Sequence, residues 1–397
     1  MSAVPAKAPP SVLFLMTVTV VNVLATNLYV PSLPDVALSL RVSDAEAQFT
    51  LTAFLLAFAM AQLVYGPIAD RFGRRRVMLA GLVLFLAGTS LAAMAPSIGW
   101  LTGARVLQAL GAAGGTILAR AMVRDLYDRD ASARMMAYLG IGSGLAGAVG
   151  PFLGGWLQGA TGTWRGGFIA LAIFTIIPIL VMTFVVRETL RTPAPTSGLR
   201  SFAIDYLSLL RQPGYSLYAV GGAVLNAAFF AFLTAIPFVL ERVYHLSPLE
   251  VGLVLINTTV GYMAGNLLAA RIGARIGLER LVMLGGFLCM LPAAAMAVLS
   301  GWDALGLFAI LGPMIVYGAG AGLAIPPSGV IAVSVNPRIA ATASGLYGFL
   351  SFSISALGTV VAGQVGYDSI VPTALVLIAL SGTAVACYAT GLRLARR

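Results

Sequence analysis

Long apolar stretches alternate along the whole chain with short segments that carry charge, proline or glycine. A stretch of about 18 or more mostly apolar residues is long enough to cross the hydrocarbon core of a membrane as a helix. The pattern therefore predicts an all-α membrane protein with twelve transmembrane helices, at approximately 12 to 34, 45 to 67, 77 to 95, 98 to 120, 133 to 157, 164 to 186, 214 to 239, 249 to 271, 279 to 300, 303 to 325, 339 to 363 and 370 to 392.

The composition excludes a water-soluble globular protein. Of the 397 residues, 59% are hydrophobic and 10% are charged, whereas soluble domains carry about 25% charged residues. We therefore interpret the chain as a protein that crosses the lipid bilayer many times.

The basic residues are distributed unevenly between the two sides of the predicted helices. If the amino terminus is cytoplasmic, twenty of the 24 basic residues fall on the cytoplasmic side, Arg105 lies inside the fourth span, and the opposite side keeps Arg41, Arg165 and Arg242. Cytoplasmic segments of membrane proteins are enriched in lysine and arginine. The pattern predicts that both termini are cytoplasmic, and it explains the net charge of +10 without a nucleic-acid partner.

The sequence lacks the residues that several kinds of chemistry require. The only lysine is Lys7, so the chain has no glycine-rich phosphate loop that ends in lysine. One histidine, His245, and two cysteines, Cys289 and Cys387, cannot by themselves form a four-ligand zinc site. The spans contain no acid–base pair, so we expect no enzyme activity, no metal and no bound cofactor.

The longest predicted cytoplasmic connection separates six spans from six. We expect an N-terminal six-helix half at 1–190, a cytoplasmic linker at 191–213 and a C-terminal six-helix half at 214–397. Apolar and charged residues between 202 and 211 are typical of a short amphipathic helix on the membrane surface, and a plain linker is the alternative.

A weak internal repeat supports the division into halves. At an offset of 200 residues, Ala69-Asp-Arg-Phe-Gly-Arg-Arg75 corresponds to Ala269-Ala-Arg-Ile-Gly-Ala-Arg275. Such similarity between two parts of one chain is typical of duplicated structural units.

A second repeated feature precedes the second and the eighth spans. Ser43 with Glu46, and Ser247 with Glu250, each have the spacing of a capping box at the start of a helix. We therefore assign both glutamates a structural role, with proton binding as the alternative.

Two motifs resemble those of a known transporter family. The segment Gly66-Pro-Ile-Ala-Asp70-Arg71-Phe-Gly73-Arg74-Arg75 resembles the signature between helices two and three of the major facilitator superfamily. Arg105, Gln108 and Gly111 in the fourth span resemble its helix-four signature. The resemblance implies two six-helix halves in the major facilitator fold.

Further motifs resemble one branch of that superfamily. In the fifth span, Gly150-Pro151-Phe-Leu-Gly154-Gly155 is similar to the signature of its drug antiporters, although Ala146 replaces a further glycine. Tyr29-Val-Pro31-Ser-Leu-Pro34 and Arg120-Ala-Met-Val-Arg124-Asp125-Leu resemble the Bcr/CflA branch, the bicyclomycin and chloramphenicol resistance exporters.

The resemblance implies conformational roles for the loop after the second span. Asp70 and Arg71 would latch one half against the other in one conformation, and a charged turn that only fixes the topology is the alternative. Gly66 and Gly73 would permit a tight turn with close backbone approach, and Arg74 belongs to the same basic cluster.

The glycine-rich fifth span is predicted to form a seam between the moving halves. Glycine lets a neighbouring helix pack closely, and Pro151 interrupts the helical hydrogen bonds. The predicted seam residues are Gly150, Pro151, Gly154 and Gly155, with ordinary helix packing as the alternative.

Arg105 places a positive charge inside a predicted span. A guanidinium in a membrane helix costs roughly 2.5–3.5 kcal/mol on insertion scales unless it finds a partner or water. Arg105 and Asn27 both lie about 11 Å from the same side of the membrane at 1.5 Å per residue, so we expect the two side chains to meet.

The residue at position 27 bears on proton coupling. The Bcr/CflA pattern has an aspartate here, which exchanges protons and pairs with the arginine, whereas this chain has Asn27. Three interpretations are open: the coupling is lost, it has moved to Asp35 or Asp70, or the amide is an introduced substitution.

Other polar and aromatic residues inside the spans indicate a central cavity. In the family, helices one, four, seven and ten line the transport path. For the aromatic residues, packing or lipid contact is the alternative. The predicted contacts for substrate and coupling are Asn22, Asn27, Tyr29, Arg105, Gln108, Asn226, Phe230, Asn257, Tyr262 and Tyr317.

We predict a monomeric secondary active multidrug exporter in a bacterial inner membrane. It would exchange small amphipathic drugs for protons by alternating access, driven by the proton gradient. The alternative within transport is an uncoupled or differently coupled facilitator of a small anionic metabolite that binds Arg105. A receptor or scaffold without transport would have no use for the conformational motifs.

Overall fold

The computed structural model describes residues 9–190, 199–301, 305–336 and 339–395, and they form helices joined by short turns. Helices predominate because a backbone in lipid must satisfy its polar groups within its own segment. The α-helices are α1 Val12–Asn27, α2 Leu33–Leu40, α3 Asp44–Phe72, α4 Arg74–Ala93, α5 Ile98–Leu126, α6 Arg129–Thr161, α7 Arg165–Phe184, α8 Leu199–Leu210, α9 Pro213–Tyr244, α10 Pro248–Ile276, α11 Leu278–Leu299, α12 Phe308–Ser334, α13 Ala340–Gly363 and α14 Val371–Ala395.

Twelve segments of the described chain are long and apolar enough to cross a membrane, which confirms the predicted number. The first consists of α1 and α2, joined by a 3-10 turn at Val30–Ser32. The amphipathic segment between the halves is a helix, α8. Because residues 191–198 lie outside the described chain, the bounds of the linker and of the two halves stay predictions.

The tenth span differs from the prediction. It was expected at 303 to 325, but α12 covers Phe308–Ser334 and continues through Pro326 and Pro327. Pro326 and Pro327 cannot donate to the carbonyls one turn earlier, those of Gly322 and Leu323, and membrane helices tolerate such prolines where neighbouring helices support them. Side chains also bond to this turn: Ser328 donates to the carbonyl of Ala324 at 2.7 Å, and Tyr347 of α13 donates to that of Ile325 at 3.0 Å.

Both capping boxes are present. The backbone N–H of Ser43 donates to the Glu46 carboxylate at 2.9 Å, and the N–H of Glu46 donates to the Ser43 hydroxyl at 3.3 Å. Ser247 and Glu250 repeat this arrangement at the start of α10. The structural role predicted for both glutamates agrees with this geometry.

The helices before and after α8 form an N-terminal half, α1–α7, and a C-terminal half, α9–α14. Two helix pairs form most of the contact between the halves: α3 packs along α13, and α6 packs along α10, while α2 makes a smaller contact with α9. The second span of each half thus contacts the fifth span of the other half, as expected for two similar halves related by a pseudo-twofold axis. Successive spans run in opposite directions, so the arginine-rich turn at 72–74 and helix α8 lie at one end, the basic end, and the turns at 41–44 and 244–248 lie at the opposite end.

Glycines of α6 lie where backbones approach most closely. A Cβ atom on Gly154 would overlap the backbone of Leu28 in the same half, and one on Gly155 would overlap the backbone of Pro248 in the other half. A Cβ atom on Gly150 would lie 2.6 Å from the Asn27 Cβ. The seam predicted for this span therefore coincides with a close crossing of α6 and α10.

The two glycines of the loop after the second span differ. Gly73 has a φ of +93° and forms the turn between α3 and α4, as predicted. Gly66 lies inside α3, and a Cβ atom added there would have no neighbour within 4 Å, so the close approach predicted at this glycine is wrong. The helix continues through Pro67 to Phe72, which moves the turn away from Gly66.

We expect Gly154→Leu to destabilise the fold by about 1–3 kcal/mol, because a side chain there must displace the backbone of Leu28. Thermal unfolding in detergent measures the effect. It is monitored through a fluorescent thiol reagent, which reacts with the buried Cys289 once the protein unfolds. Gly159→Leu on the same helix is the matched control, since that position is exposed and open. Equal unfolding temperatures for the two variants would contradict the close approach of α6 to the backbone of Leu28.

Candidate functional site

A row of polar side chains on α3 joins the halves near the opposite end. Asp44, Gln48 and Thr52 are four residues apart, so they lie on one face of the helix. Asp44 forms an ion pair with Arg242 of α9. Thr52 shares a 2.7 Å hydrogen bond with Thr359 of α13.

Gln48 is the centre of this row and is 1% exposed. Its amide nitrogen donates to Thr234 of α9, and its amide oxygen accepts from the Tyr367 hydroxyl at 2.7 Å. We call Asp44, Gln48, Thr52 and these C-terminal partners the polar ladder. It closes the interface between the halves at the opposite end.

The seam continues with apolar contacts toward the middle of the bundle. The rings of Phe58 and Phe352 are 4.7 Å apart across the interface, and Gln62 lies against Gly348. The polar contacts between described residues of the two halves all lie between this level and the opposite end.

A cavity of about 610 Å³ lies nearer the basic end, between α12 and α13. Its walls are mostly apolar, with three hydroxyl groups. They are formed by Pro326, Gly329, Val330, Val333, Ser334, Ala340, Ser344 and Tyr347. A volume in this range suits a small organic molecule.

Arg105 lies in the N-terminal half and is completely buried. Its Nη1 donates to the carbonyl of Ala25 at 2.8 Å and to the side-chain oxygen of Gln108. Gln108 in turn donates to Thr89 at 2.9 Å. Arg105 and Gln108 were both predicted as site residues, and the structure brings them together.

Aromatic rings surround the guanidinium group of Arg105. Its central carbon lies 4.8 Å from the ring centre of Tyr29, 4.3 Å from that of Phe54 and 5.8 Å from that of Phe168. Ring faces attract cations, and most strongly where water is excluded. Among the described residues, Nε and Nη2 have no hydrogen-bond partner and no ion pair involves this arginine.

The predicted contact between Asn27 and Arg105 is not formed. Asn27 donates to the carbonyl of Val23 at 2.9 Å and to the Thr26 hydroxyl at 3.2 Å, and it packs against Gly150. Residues two apart on a helix project about 200° apart. Ala25 and Asn27 therefore lie on opposite sides of α1, so a shared depth did not bring Asn27 to Arg105.

Two of the predicted amides join neighbouring helices within one half. Asn22 donates to Thr116 of α5 at 3.1 Å, and Asn226 donates to Ser355 of α13 at 2.9 Å. Asn257 is half-buried on α10. The first hydrogen bond joins the first and fourth spans, both of which were predicted to line the transport path, and the second joins the seventh span, also predicted to line it, to the eleventh span.

The predicted aromatics belong to two groups. Tyr317 is fully buried inside the C-terminal half against Phe232, so it does not line an accessible cavity in this conformation. Phe230 and Tyr262 belong to a row of rings that crosses the seam with neighbouring centres 4.7–6.3 Å apart. We call this row the aromatic chain; in order, it consists of Phe54, Phe58, Phe352, Phe230, Phe229 and Tyr262.

The predicted latch residues form contacts within the N-terminal half. Asp70 pairs with Arg74 at 2.6 Å, and Arg74 also contacts Asp125 at the end of α5 at 3.2 Å. The Arg71 guanidinium lies 5.1 Å from the ring centre of Phe72. In this conformation the Asp70 carboxylate therefore pairs inside its own half.

Several residues of the site were not singled out from the sequence. Asp44, Gln48 and Thr52 have the i, i+4, i+8 spacing of one helix face, which was the available signal. Glu188 accepts from the backbone N–H of Arg74 at 2.9 Å and caps α4 from a distant segment. No local sequence pattern indicates this contact between Glu188 and the start of α4.

Comparison with known proteins identifies the family. The model of the Major Facilitator Superfamily matches residues 15–359. "Multidrug resistance protein D" of Escherichia coli is 28% identical over 342 residues, 85% of this chain and 84% of the relative. The "Bicyclomycin resistance protein homolog" of Haemophilus influenzae is 26% identical over 367 residues, 89% of each chain.

A solved structure has the same fold. The bacterial homolog of the human lysosomal transporter Spinster, in an inward-facing and unoccupied conformation, superposes with a TM-score of 0.77 at 17% identity and covers 96% of this chain and 97% of its own. The family is one of transporters, which agrees with the predicted absence of enzyme activity. The fold, the motifs and the family match together show that this chain is a membrane transporter of the Major Facilitator Superfamily.

Proposed function

We propose that this transporter exports small amphipathic drugs by alternating access, in exchange for protons. It would act as a monomer in a bacterial inner membrane, with the basic end and both termini in the cytoplasm. The excess of arginines at the basic end supports this orientation. The proton gradient would supply the energy, without a bound cofactor.

The observation that carries the proposal is the difference between the two ends of the molecule. The polar ladder closes the seam at the opposite end, while the 610 Å³ cavity, which α12 and α13 of the C-terminal half form, lies toward the basic end. Alternating access requires a state that is closed on one side of the substrate site and open on the other. In the proposed orientation this conformation is the inward-facing state, ready to take up a drug from the cytoplasm.

The chemistry of the cavity supports an amphipathic substrate. Apolar side chains such as Val330 and Val333 form most of its wall, and Ser334, Ser344 and Tyr347 supply hydroxyl groups. Such a surface binds apolar bodies and orients them with a few hydrogen bonds. The names of the relatives, which refer to multidrug and bicyclomycin resistance, point to the same class of substrate.

An anion facilitator is the second candidate, and Arg105 is the observation that favours it. Its Nε and Nη2 are free to bind a carboxylate. However, Arg105 is fully buried, and the space beside Tyr29 and Phe168 holds only about 10 Å³. This space is smaller than a carboxylate, so the drug exporter fits this conformation better.

Transport in proteoliposomes tests the proposal directly. In proteoliposomes, the transporters inserted with the basic end outward would move the drug into the lumen. We expect their uptake of chloramphenicol to rise at least several-fold when the lumen is acidified, because protons leaving the lumen drive the exchange. Vesicles without protein, and vesicles with the gradient collapsed by an uncoupler, are the controls. Equilibration of a small carboxylate without a gradient, abolished by Arg105→Gln, would favour the anion facilitator instead.

We expect Asp44→Asn to favour opening at the opposite end, because it removes the ion pair with Arg242 across the seam. Partly exposed ion pairs contribute little energy, so the ratio of molecules open at this end to molecules closed there should rise only roughly two- to five-fold. Distances between spin labels on Gly99 and Gly301, exposed positions of the two halves at that end, report the ratio. Glu46→Gln is the matched control, since that carboxylate contacts only Ser43 of its own helix cap. Identical distance distributions for the two variants would show that the ladder does not set the equilibrium.

A further inference from the structure

A second cavity, of about 400 Å³, lies at the basic end of the N-terminal half. The end of α3, the start of α4 and the segment after α7 form its walls. We call it the arginine basin, and its charged residues are Arg71, Arg75, Arg76, Arg187 and Glu188.

Glu188 is the acidic residue of the basin, and its carboxylate accepts hydrogen bonds from backbone N–H groups. Its oxygens accept from the N–H groups of Arg74 at 2.9 Å, Arg75 at 3.2 Å, Thr189 at 3.0 Å and Leu190 at 3.1 Å. The carboxylate thus caps the positive end of the α4 dipole. The carboxylate therefore forms its hydrogen bonds with the backbone rather than with the arginine side chains around the cavity, and its charge offsets one of theirs.

The arginines of the basin lack acidic partners among the described residues. The ion pairs of this part of the chain join Arg74 to Asp70 and to Asp125, and Arg74 does not line the cavity. Four guanidinium groups and one carboxylate leave three positive charges in excess. The enrichment of arginine at one side of a membrane protein explains their number. It does not explain why four of them converge on one concave site.

An apolar track leads to the basin along α3. Leu56, Met60, Val64, Ile68 and Phe72 are each four residues apart and 39–55% exposed, so they form one exposed stripe that winds about 160° around the helix. Phe72 also lines the basin. The site therefore combines concentrated positive charge with an adjoining apolar stripe about 24 Å long.

We infer that the arginine basin binds the phosphate headgroup of an anionic phospholipid, whose acyl chains lie along the α3 stripe. The guanidinium fork matches phosphate oxygens in geometry and charge. Basic pockets between membrane helices are known to select anionic headgroups. A soluble phosphate would satisfy the charges but would leave the stripe unused.

Lipid in the basin would stabilise the basic end of this half. Arg75, which lines the basin, donates to the carbonyls of Met182 at 3.2 Å and Thr183 at 2.8 Å at the end of α7. A headgroup bound to Arg75, Arg76 and Arg187 would therefore tie the α3–α4 turn to α7. Lipid binding at this site would not depend on the transported substrate.

Native mass spectrometry of the protein in an uncharged detergent tests the inference. Phosphatidylglycerol and phosphatidylcholine are titrated separately, and we expect the anionic lipid to bind at least tenfold more tightly. Arg76→Gln with Arg187→Gln should weaken phosphatidylglycerol binding about 30-fold, because two attractive charges are lost. Phosphatidylcholine binding should be unchanged by this double variant.

Arg211→Gln with Arg275→Gln is the control of equal charge loss, since both arginines are exposed at the basic end outside the basin. It should retain wild-type affinity, and both double variants should unfold at the wild-type temperature in lipid-free detergent. If the first double variant misfolds, Arg187→Gln alone is used, with about a fivefold loss expected. Equal losses in the two double variants, or equal affinity for the two lipids, would overturn the inference. Inorganic phosphate that binds as tightly as the lipid would instead identify a soluble-anion site.

Discussion

The two halves are held closed at one end by hydrogen bonds between buried polar groups of α3 and the C-terminal half. Gln48 is buried on α3, and a buried amide without hydrogen bonds is costly. Its partners, Thr234 and Tyr367, both belong to the other half. Closing this end therefore satisfies the amide, whereas opening it requires water to take their place. The seam at this end is therefore expected to be either closed or open rather than to open gradually.

The second seam has a different physical character. Where α6 crosses α10, Gly155 lies against the backbone of Pro248, and Gly252 lies against that of Pro151. These contacts depend on shape, with a single long hydrogen bond of 3.4 Å from Thr259 to Gly147. Backbone surfaces without directional bonds can slide while they remain in contact. The glycine seam can therefore act as a pivot while the polar ladder opens and closes.

The sequence was sufficient for the features that depend on local chemistry. The twelve spans follow from apolar length, the caps at Ser43 and Ser247 follow from a three-residue spacing, and the turn at Gly73 follows from glycine. The contacts of Gln48 join residues 186 and 319 positions apart, and no local pattern encodes the register of such distant helices. Asn27 shows the same limit, because equal depth in the membrane leaves the rotation of each helix undetermined.

Aromatic contacts link the buried Arg105 to the seam between α3 and α13. In place of a carboxylate, its charge is stabilised by the carbonyl of Ala25 and by three aromatic rings. One of these rings, Phe54, is also the first member of the aromatic chain, which crosses to the other half where Phe58 meets Phe352. Movement of the halves at that junction must change the packing around Phe54. A ring that shifts by an ångström or two weakens its attraction for the cation, and the free Nε and Nη2 donors can then bind water or a ligand. In the proposed transport cycle, opening of the seam would thus change the solvation of the guanidinium.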